Sequence, residues 1–349
     1  MNATTVAVDL AKHRFELALA DEQWRILERR RVTRDVFSRF FANRPRCRIV
    51  MEACGSSHHW ARTLAAQGHE VMLLPAQYVR AYVRRNKTDA ADASALLEAA
   101  RSSEIRAVPV KSIEQQAIQQ LHRLRSQWIG TRTARINLLR GCLREFGIPI
   151  PLGAQRGIAA ARCALAAPQS CLPDALHPLI ADTLCEIAEL ERRARDAERQ
   201  LLALTREDPI VQQLLKIPGI GLLSATALRA ALVDIQRFAS GRHLASWLGL
   251  TAREHSSGER RRLGRISKRG DVYVRTLLIH GARAVLLAAK RAARADRPLD
   301  RLRAWALATA QRCGHNKATV ALANKLARIV WATWKYQRAF NGNWARNIP

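Results

Sequence analysis

The chain has 349 residues, 48% hydrophobic and 25% charged, enough for two or three folded domains with a sizeable core. Its 58 Lys and Arg outnumber 29 Asp and Glu, a formal net charge of +29, which favours a polyanionic partner because neutralised phosphates release condensed counterions. No apolar run of about 18 residues stands out, so no membrane partner is expected; the opening MNATTVAVDLAK lacks a charged n-region and carries Asp9 in its apolar stretch, unlike a signal peptide. The seven Cys form no Cys-x-x-Cys and suit unpaired thiols in a reducing cytoplasm. Cys54, His58 and His59 share one short turn without a partner cluster, a pattern expected to be structural rather than zinc-binding.

Residues 1–108 alternate strand and helix signals. Residues 4–10 and 15–20 read as apolar strands, 24–32 as a more polar one, and 48–51 as a strand that ends at Glu52. Residues 58–67 read as a helix stopped by Gly68. Glu70–Leu74 is a further strand halted by Pro75, and Asp89–Arg101 is a helix rich in Ala and Leu. This alternation predicts an α/β domain.

Four acids in this region need a joint explanation. Asp9 lies near the end of the first strand and Glu52 at the tip of a later one. Asp89 and Asp92 are three apart on one helical face, behind Arg84, Arg85 and Lys87. Singly, each has a simple role: a strand-end turn, a surface charge, an N-cap with its N3 partner. Together they follow the logic of an RNase H-like (RuvC-like) site. Four converging carboxylates repel one another unless divalent cations hold them. Mg²⁺ takes hard oxygen ligands and keeps positions open for phosphate oxygens. Two such ions activate the attacking oxygen and stabilise the leaving one. Lys12 and Lys87 fall near these acids, as site cations or as salt-bridge partners.

Residues 109–208 read as elongated and helical. Leu121, Leu124, Trp128, Ile136 and Leu139 give the first half a broad apolar face. In the second half Ile180, Ile187, Leu190, Ala194, Ala197, Leu201 and Leu204 follow a/d spacing with a gap at Thr183. An intramolecular helical hairpin and an oligomerising coiled coil both fit. Residues 149–178, with five Pro, read as a poorly structured connection.

Residues 209–349 hold 26 Lys and Arg against 6 Asp and Glu, a surplus of 20, in mainly helical patterns that include 320–334. LLKIPGIGLLSATALRAAL (214–232) has the helix-hairpin-helix pattern. There Gly219 and Gly221 permit a tight turn, and backbone N–H groups at the second helix bind a phosphate without reading sequence. The alternative is a plain turn between helices. GLTAREHSSGERRRLGRISKRGDVYVR (249–275) is a basic loop punctuated by Gly258, Gly264 and Gly270. Arg260, Arg261, Arg262, Arg265, Lys268 and Arg269 are its expected phosphate contacts. Its serine pair, Ser256 and Ser257, offers a hydroxyl able to attack a phosphodiester and conserve the bond as a phosphoserine, with arginines stabilising charge at phosphorus.

VAVDLAK, IVMEACG, VRRNKTDAADA, IPGIG, GLTAREHSSG, GRISKRGD and ANKLARIVW occur here in the order seen in the IS-one-ten family of insertion-sequence transposases, the Piv-like DEDD recombinases. The chain resembles that family nearly end to end. The resemblance implies an α/β RuvC-like domain over 1–108 whose Asp9, Glu52, Asp89 and Asp92 bind Mg²⁺. It implies an elongated helical or coiled-coil region over 109–208, and a mainly α transposase domain over 209–349 with an essential serine. That serine maps onto Ser257, which Gly258 follows; the position before it is often acidic in relatives and here is Ser256. The resemblance further implies a structured guide RNA that selects donor and target double-stranded DNA by base pairing. It implies homodimers assembling into tetramers, with acids and serine from different subunits meeting in one site.

The expected activity is excision and insertion of a mobile element by DNA cleavage and strand exchange through a phosphoserine. Two alternatives stand beside it. A RuvC-like structure-specific nuclease uses the carboxylates and leaves the serine loop without a role. A non-catalytic nucleic-acid-binding protein needs only the charge and the helix-hairpin-helix.

Overall fold

Thr5 to Val8 are four consecutive buried side chains, the mark of a strand covered on both faces. This strand, β1 (Thr5–Asp9), is the middle of a five-stranded sheet. The computed structural model describes residues 3–83, 89–167, 171–258 and 260–342, with Asp89 and Ala90 described by backbone only. The chain divides into two compact units, residues 1–112 and 113–349.

In the first unit β2 (Arg14–Ala20) pairs antiparallel with β1 and with the edge strand β3 (Ile26–Thr33). After helix α1 (Arg34–Ala42), β4 (Arg48–Glu52) returns parallel to β1. Helix α2 (Ser57–Ala66) then leads to β5 (Glu70–Leu74), parallel to β4, giving the order β3-β2-β1-β4-β5. A short turn of helix, α3 (Ala76–Val79), precedes α4 (Asp89–Arg101). One sheet face is aromatic: Phe15, Phe37 and Trp60 meet edge to face at 4.6 to 5.5 Å, tying α1 and α2 to β2. The other face is built from small residues, Ala7, Ala18 and Ala20, against Ala93, Leu96 and Leu97 of α4. Alanines on both sides let the helix axis approach the sheet closely, which sets where the acids of α4 stand.

In the second unit α5 (Ile113–Glu145) runs for 33 residues and packs along α7 (His177–Leu204). The ion pairs Arg125–Glu198, Arg132–Glu191 and Arg135–Glu186 fix an antiparallel register. The apolar stripe of α7 thus faces a helix of the same chain. Leu184, rather than Thr183, fills the gap in its spacing, and Leu204 is 53% exposed. Residues 149–178 are not the unstructured connection expected: they contain α6 (Ala154–Ala166), whose Ile158 and Ala161 pack into the hairpin core.

The rest of this unit is a helical core. It comprises α8 (Pro209–Leu215), α9 (Leu222–Ala231) and α10 (Gly241–Trp247), then the hairpin of β6 (Ala252–Glu254) and β7 (Leu263–Ile266). It closes with α11 (Val272–Arg294), α12 (Arg301–Cys313) and α13 (His315–Tyr336). Asp208, Ser240, Asp271 and Asp300 cap α8, α10, α11 and α12 through side-chain oxygens that accept backbone N–H bonds. One sequence expectation is corrected here. The 23 residues of α11 are long and apolar enough to cross a bilayer by length and composition. Their stripe of Leu278, Ala282, Leu286 and Ala289 is instead buried against the core, as in an ordinary central helix.

Candidate active site and nucleic-acid surface

Parallel pairing of β1 with β4 places Val8 opposite Met51. The next residues, Asp9 and Glu52, therefore end neighbouring strands side by side, and both are half-buried. The charges of both reach one point just beyond the strands. The Cys54 thiol there is pushed up first by burial, then by Glu52 and Asp9. Helix α4 packs on β1, β2 and β4 and carries a half-buried Asp92 one turn into the helix. Asp89 opens the same helix, but its side chain, like Arg84, Arg85 and Lys87, lies outside the described residues.

Carboxylates at adjacent ends of parallel strands are the hard oxygen donors that Mg²⁺ takes, so Asp9 and Glu52 suit the expected ion. Among the described residues no three His, Cys, Asp or Glu side chains gather closely enough to form a ready-made metal group. Lys12 is exposed in the turn after β1. His58, on α2, accepts the backbone N–H of Lys111 at 3.2 Å. Burial, with Lys111 and Arg62 nearby, holds its pKa down to about 4.

The two glycines of the α8–α9 turn occupy different surroundings. Gly219 has φ +84°, and a Cβ there would meet the Gly281 carbonyl and Val285 of α11 at 2.8 Å. It lets the turn close onto α11. Gly221 is exposed, begins α9, and has open space where its Cβ would be.

The serine loop is an ordered hairpin, with β6 and β7 as its stem. Its base is pinned by Gly249 and Gly270, whose positive φ lets the two strands pass against backbone that any side chain would strike. Arg275, 6% exposed, donates from Nη1 to the carbonyls of Leu248 at 2.9 Å and Arg269 at 2.8 Å. It clamps both ends of the loop. Its place on the stripe 275, 278, 282, 286 of α11 is the sequence signal that it is buried.

At the tip the two serines part. Ser256 Oγ donates to Glu254 Oε1 at 2.8 Å and accepts the Arg262 backbone N–H at 3.1 Å. Ser257 exchanges backbone bonds with Arg260 across the tip and is exposed. Among the described residues its hydroxyl has no hydrogen-bond partner. Gly258 supplies the positive φ, +55°, that the turn needs. Arg260, Arg261, Arg262 and Arg265 are all exposed around it, as are Lys268 and Arg269. Glu254 ion-pairs with Arg261 at 3.4 Å, an exposed contact of little energetic weight.

Comparison with known proteins covers both regions. A family model described as a transposase, of the DEDD type of IS110, matches residues 6–148. The model described as transposase IS116/IS110/IS902 family matches residues 211–297. A probable family 20 transposase of Pseudomonas aeruginosa is 44% identical over 95% of this chain and 97% of its own length. The transposase for insertion sequence element IS1111A of Coxiella burnetii is 37% identical over 96% and 90%. The transposase for insertion sequence element IS1328 of Yersinia enterocolitica is 34% identical over 95% and 96%.

Proposed function

This chain belongs to the IS-one-ten (IS110) family of insertion-sequence transposases, and from that premise we propose that it cuts and rejoins DNA through a phosphoserine formed on Ser257. The observation that carries the proposal is the unengaged Ser257 hydroxyl at the tip of a hairpin ringed by arginines, beside a Ser256 whose hydroxyl is occupied. In the cleavage step Ser257 Oγ bonds to the scissile phosphorus and loses its proton. The P–O bond to one deoxyribose oxygen breaks, and that oxygen leaves as a hydroxyl after taking up a proton. Rejoining reverses the step with the hydroxyl of another strand, so no bond energy is lost to water. Arg260, Arg261, Arg262 and Arg265 hold the phosphate oxygens as negative charge grows on them. Ser256, through Glu254, fixes the tip.

In this reading the first unit is an RNase H-like domain in which Asp9, Glu52, Asp89 and Asp92 hold Mg²⁺. Bound there, the metal would supply charge neutralisation and oxygen activation at a phosphate. Residues 1–108, 109–208 and 209–349 then act as catalytic domain, helical spacer and transposase domain. The α8–α9 turn serves as a helix-hairpin-helix, with Gly221 the more accessible of its two glycines for a phosphate. Lys268 and Arg269 extend the basic surface, a guide RNA selects the DNA, and dimers assemble into tetramers in the cytoplasm.

The test is incubation with Mg²⁺, copurified RNA and labelled element ends, followed by a search for a protease-sensitive protein–DNA adduct. The adduct should map to Ser257, vanish in Ser257→Ala and persist at reduced yield in Ser256→Ala. Cleavage without any adduct would make the protein a hydrolytic nuclease instead.

A further inference from the structure

Beside the base of the serine hairpin lies an open groove of about 1770 Å³, walled by α10, α12 and α13 and by Leu250, Thr251, Ala252 and Ile266 of the hairpin base. Its cations are Arg242, Arg301, Lys317, Lys325, Arg328 and Arg338, and no acidic residue lines it among the described residues. Its floor is apolar and aromatic. Trp305 is half-buried, with the Lys325 ammonium 4.3 Å from its ring centroid. Trp331 stands edge-on to Tyr336 at 5.5 Å, and Tyr336 is 56% exposed.

We propose that this groove binds an unpaired DNA strand that runs to or from the Ser257 hairpin. The inference rests on the reading of that hairpin as the DNA-cleaving element. Cations without acids select a polyanion. A duplex would satisfy them by its phosphates alone and leave the rings against water, because its base faces are stacked inside. A single strand satisfies both, with phosphates on the arginines and lysines and bases stacked on Tyr336 and Trp305. An acidic protein segment would match the charge but gives no reason for the groove to be continuous with the hairpin. The groove reaches the base of the hairpin whose tip carries Ser257, which favours substrate DNA as the occupant. An unpaired strand held there keeps its end close while the phosphoserine awaits a new hydroxyl.

The experiment uses the full chain carrying Ser257→Ala, so that binding is read without chemistry. Labelled oligothymidylate of about 12 nucleotides, within the span such grooves hold, is compared with a DNA duplex and with oligouridylate. The triple variant Arg242→Glu, Lys317→Glu, Arg328→Glu changes three exposed side chains. It should weaken oligothymidylate binding about tenfold or more, and duplex binding less than about threefold. Iododeoxyuridine in the strand should photocross-link to Trp305 or Tyr336. Unchanged single-strand binding, equal losses on all three ligands, or a cross-link outside the groove would overturn the inference. A larger loss for oligouridylate would reassign the groove to RNA and equally overturn it. Should the triple variant not fold, Tyr336→Ala and the cross-link on otherwise unchanged protein decide the matter. Groove-dependent binding together with no Ser257 adduct would sink the catalytic reading and leave the groove standing.

Discussion

Ser256 and Ser257 have the same chemistry and opposite fates, because a tight hairpin turn gives one hydroxyl a carboxylate and a backbone N–H and leaves the other in solvent. The clamp below them is Arg275. Its guanidinium is buried against carbonyls, and truncation would leave the Leu248 and Arg269 oxygens without their donor. Arg275→Ala should therefore cost about 2 to 4 kcal/mol, the scale of lost bonds to a buried charged group. Arg275→Lys should recover less than half of it, since an ammonium lacks the planar fork; denaturant titration reads both. The acids make a second prediction at this scale. Asp9 and Glu52 end adjacent strands, where the proposed Mg²⁺ would take both as ligands. Asp9→Asn should abolish the gain in stability that Mg²⁺ gives the first unit, about 2.7 kcal/mol at a hundredfold excess over Kd. A variant that keeps the full Mg²⁺ response would remove Asp9 from the ligand set.

At the scale of elements, His122 joins three helices. It lies on α5, is 4% exposed, and places Nδ1 2.9 Å from Tyr273 Oη of α11 and Nε2 2.9 Å from Thr226 Oγ1 of α9. Burial first, then Arg125, holds its pKa down to about 4 from 6.5, with Asp271 pulling the other way. The folded group stays neutral while the unfolded one takes a proton. Its contribution is thus fully present above about pH 6.5 and declines as pH falls toward 4, by at most about 3 kcal/mol. Denaturation at pH 7 and pH 4.5 should show this loss, and His122→Asn should flatten it. Sequence periodicity located α4 and β5 at their observed ends, because Pro75 and a run of Ala and Leu mark them. It missed α1, whose Phe37 and Phe41 look like a loop's hydrophobics until they are seen on one face. The prolines that flank α6, Pro149, Pro151 and Pro168, read as breakers and hide the Ala-rich helix between them. Order and spacing singled out Asp9, Glu52 and the serine pair as candidates. The distinction between the two serines, the carbonyl partners of Arg275 and the groove depend on contacts that residue spacing alone does not encode.

Across the whole molecule, charge is unevenly allotted. Residues 1–112 carry a surplus of 7, residues 113–208 a surplus of 2, and residues 209–349 a surplus of 20. The long α5–α7 hairpin is nearly neutral because its arginines answer glutamates across the helices, so it adds little to attraction for a polyanion. Phosphate binding should then reside in the C-terminal 141 residues, with Arg260, Arg261, Arg262 and Arg265 exposed on the serine hairpin. Duplex affinity should fall with salt along a log–log slope on the order of −5 or steeper, if about six phosphates are neutralised. Each of those four arginines changed to Ala should make the slope shallower by about 0.9. The same change at Arg192 or Arg193, which ion-pair with Glu189 of their own helix, should leave it where it was. Titrations at several salt concentrations separate the two sets. Equal effects from hairpin and helix arginines would mean that affinity follows net charge alone, and that the serine hairpin holds no privileged place on the DNA.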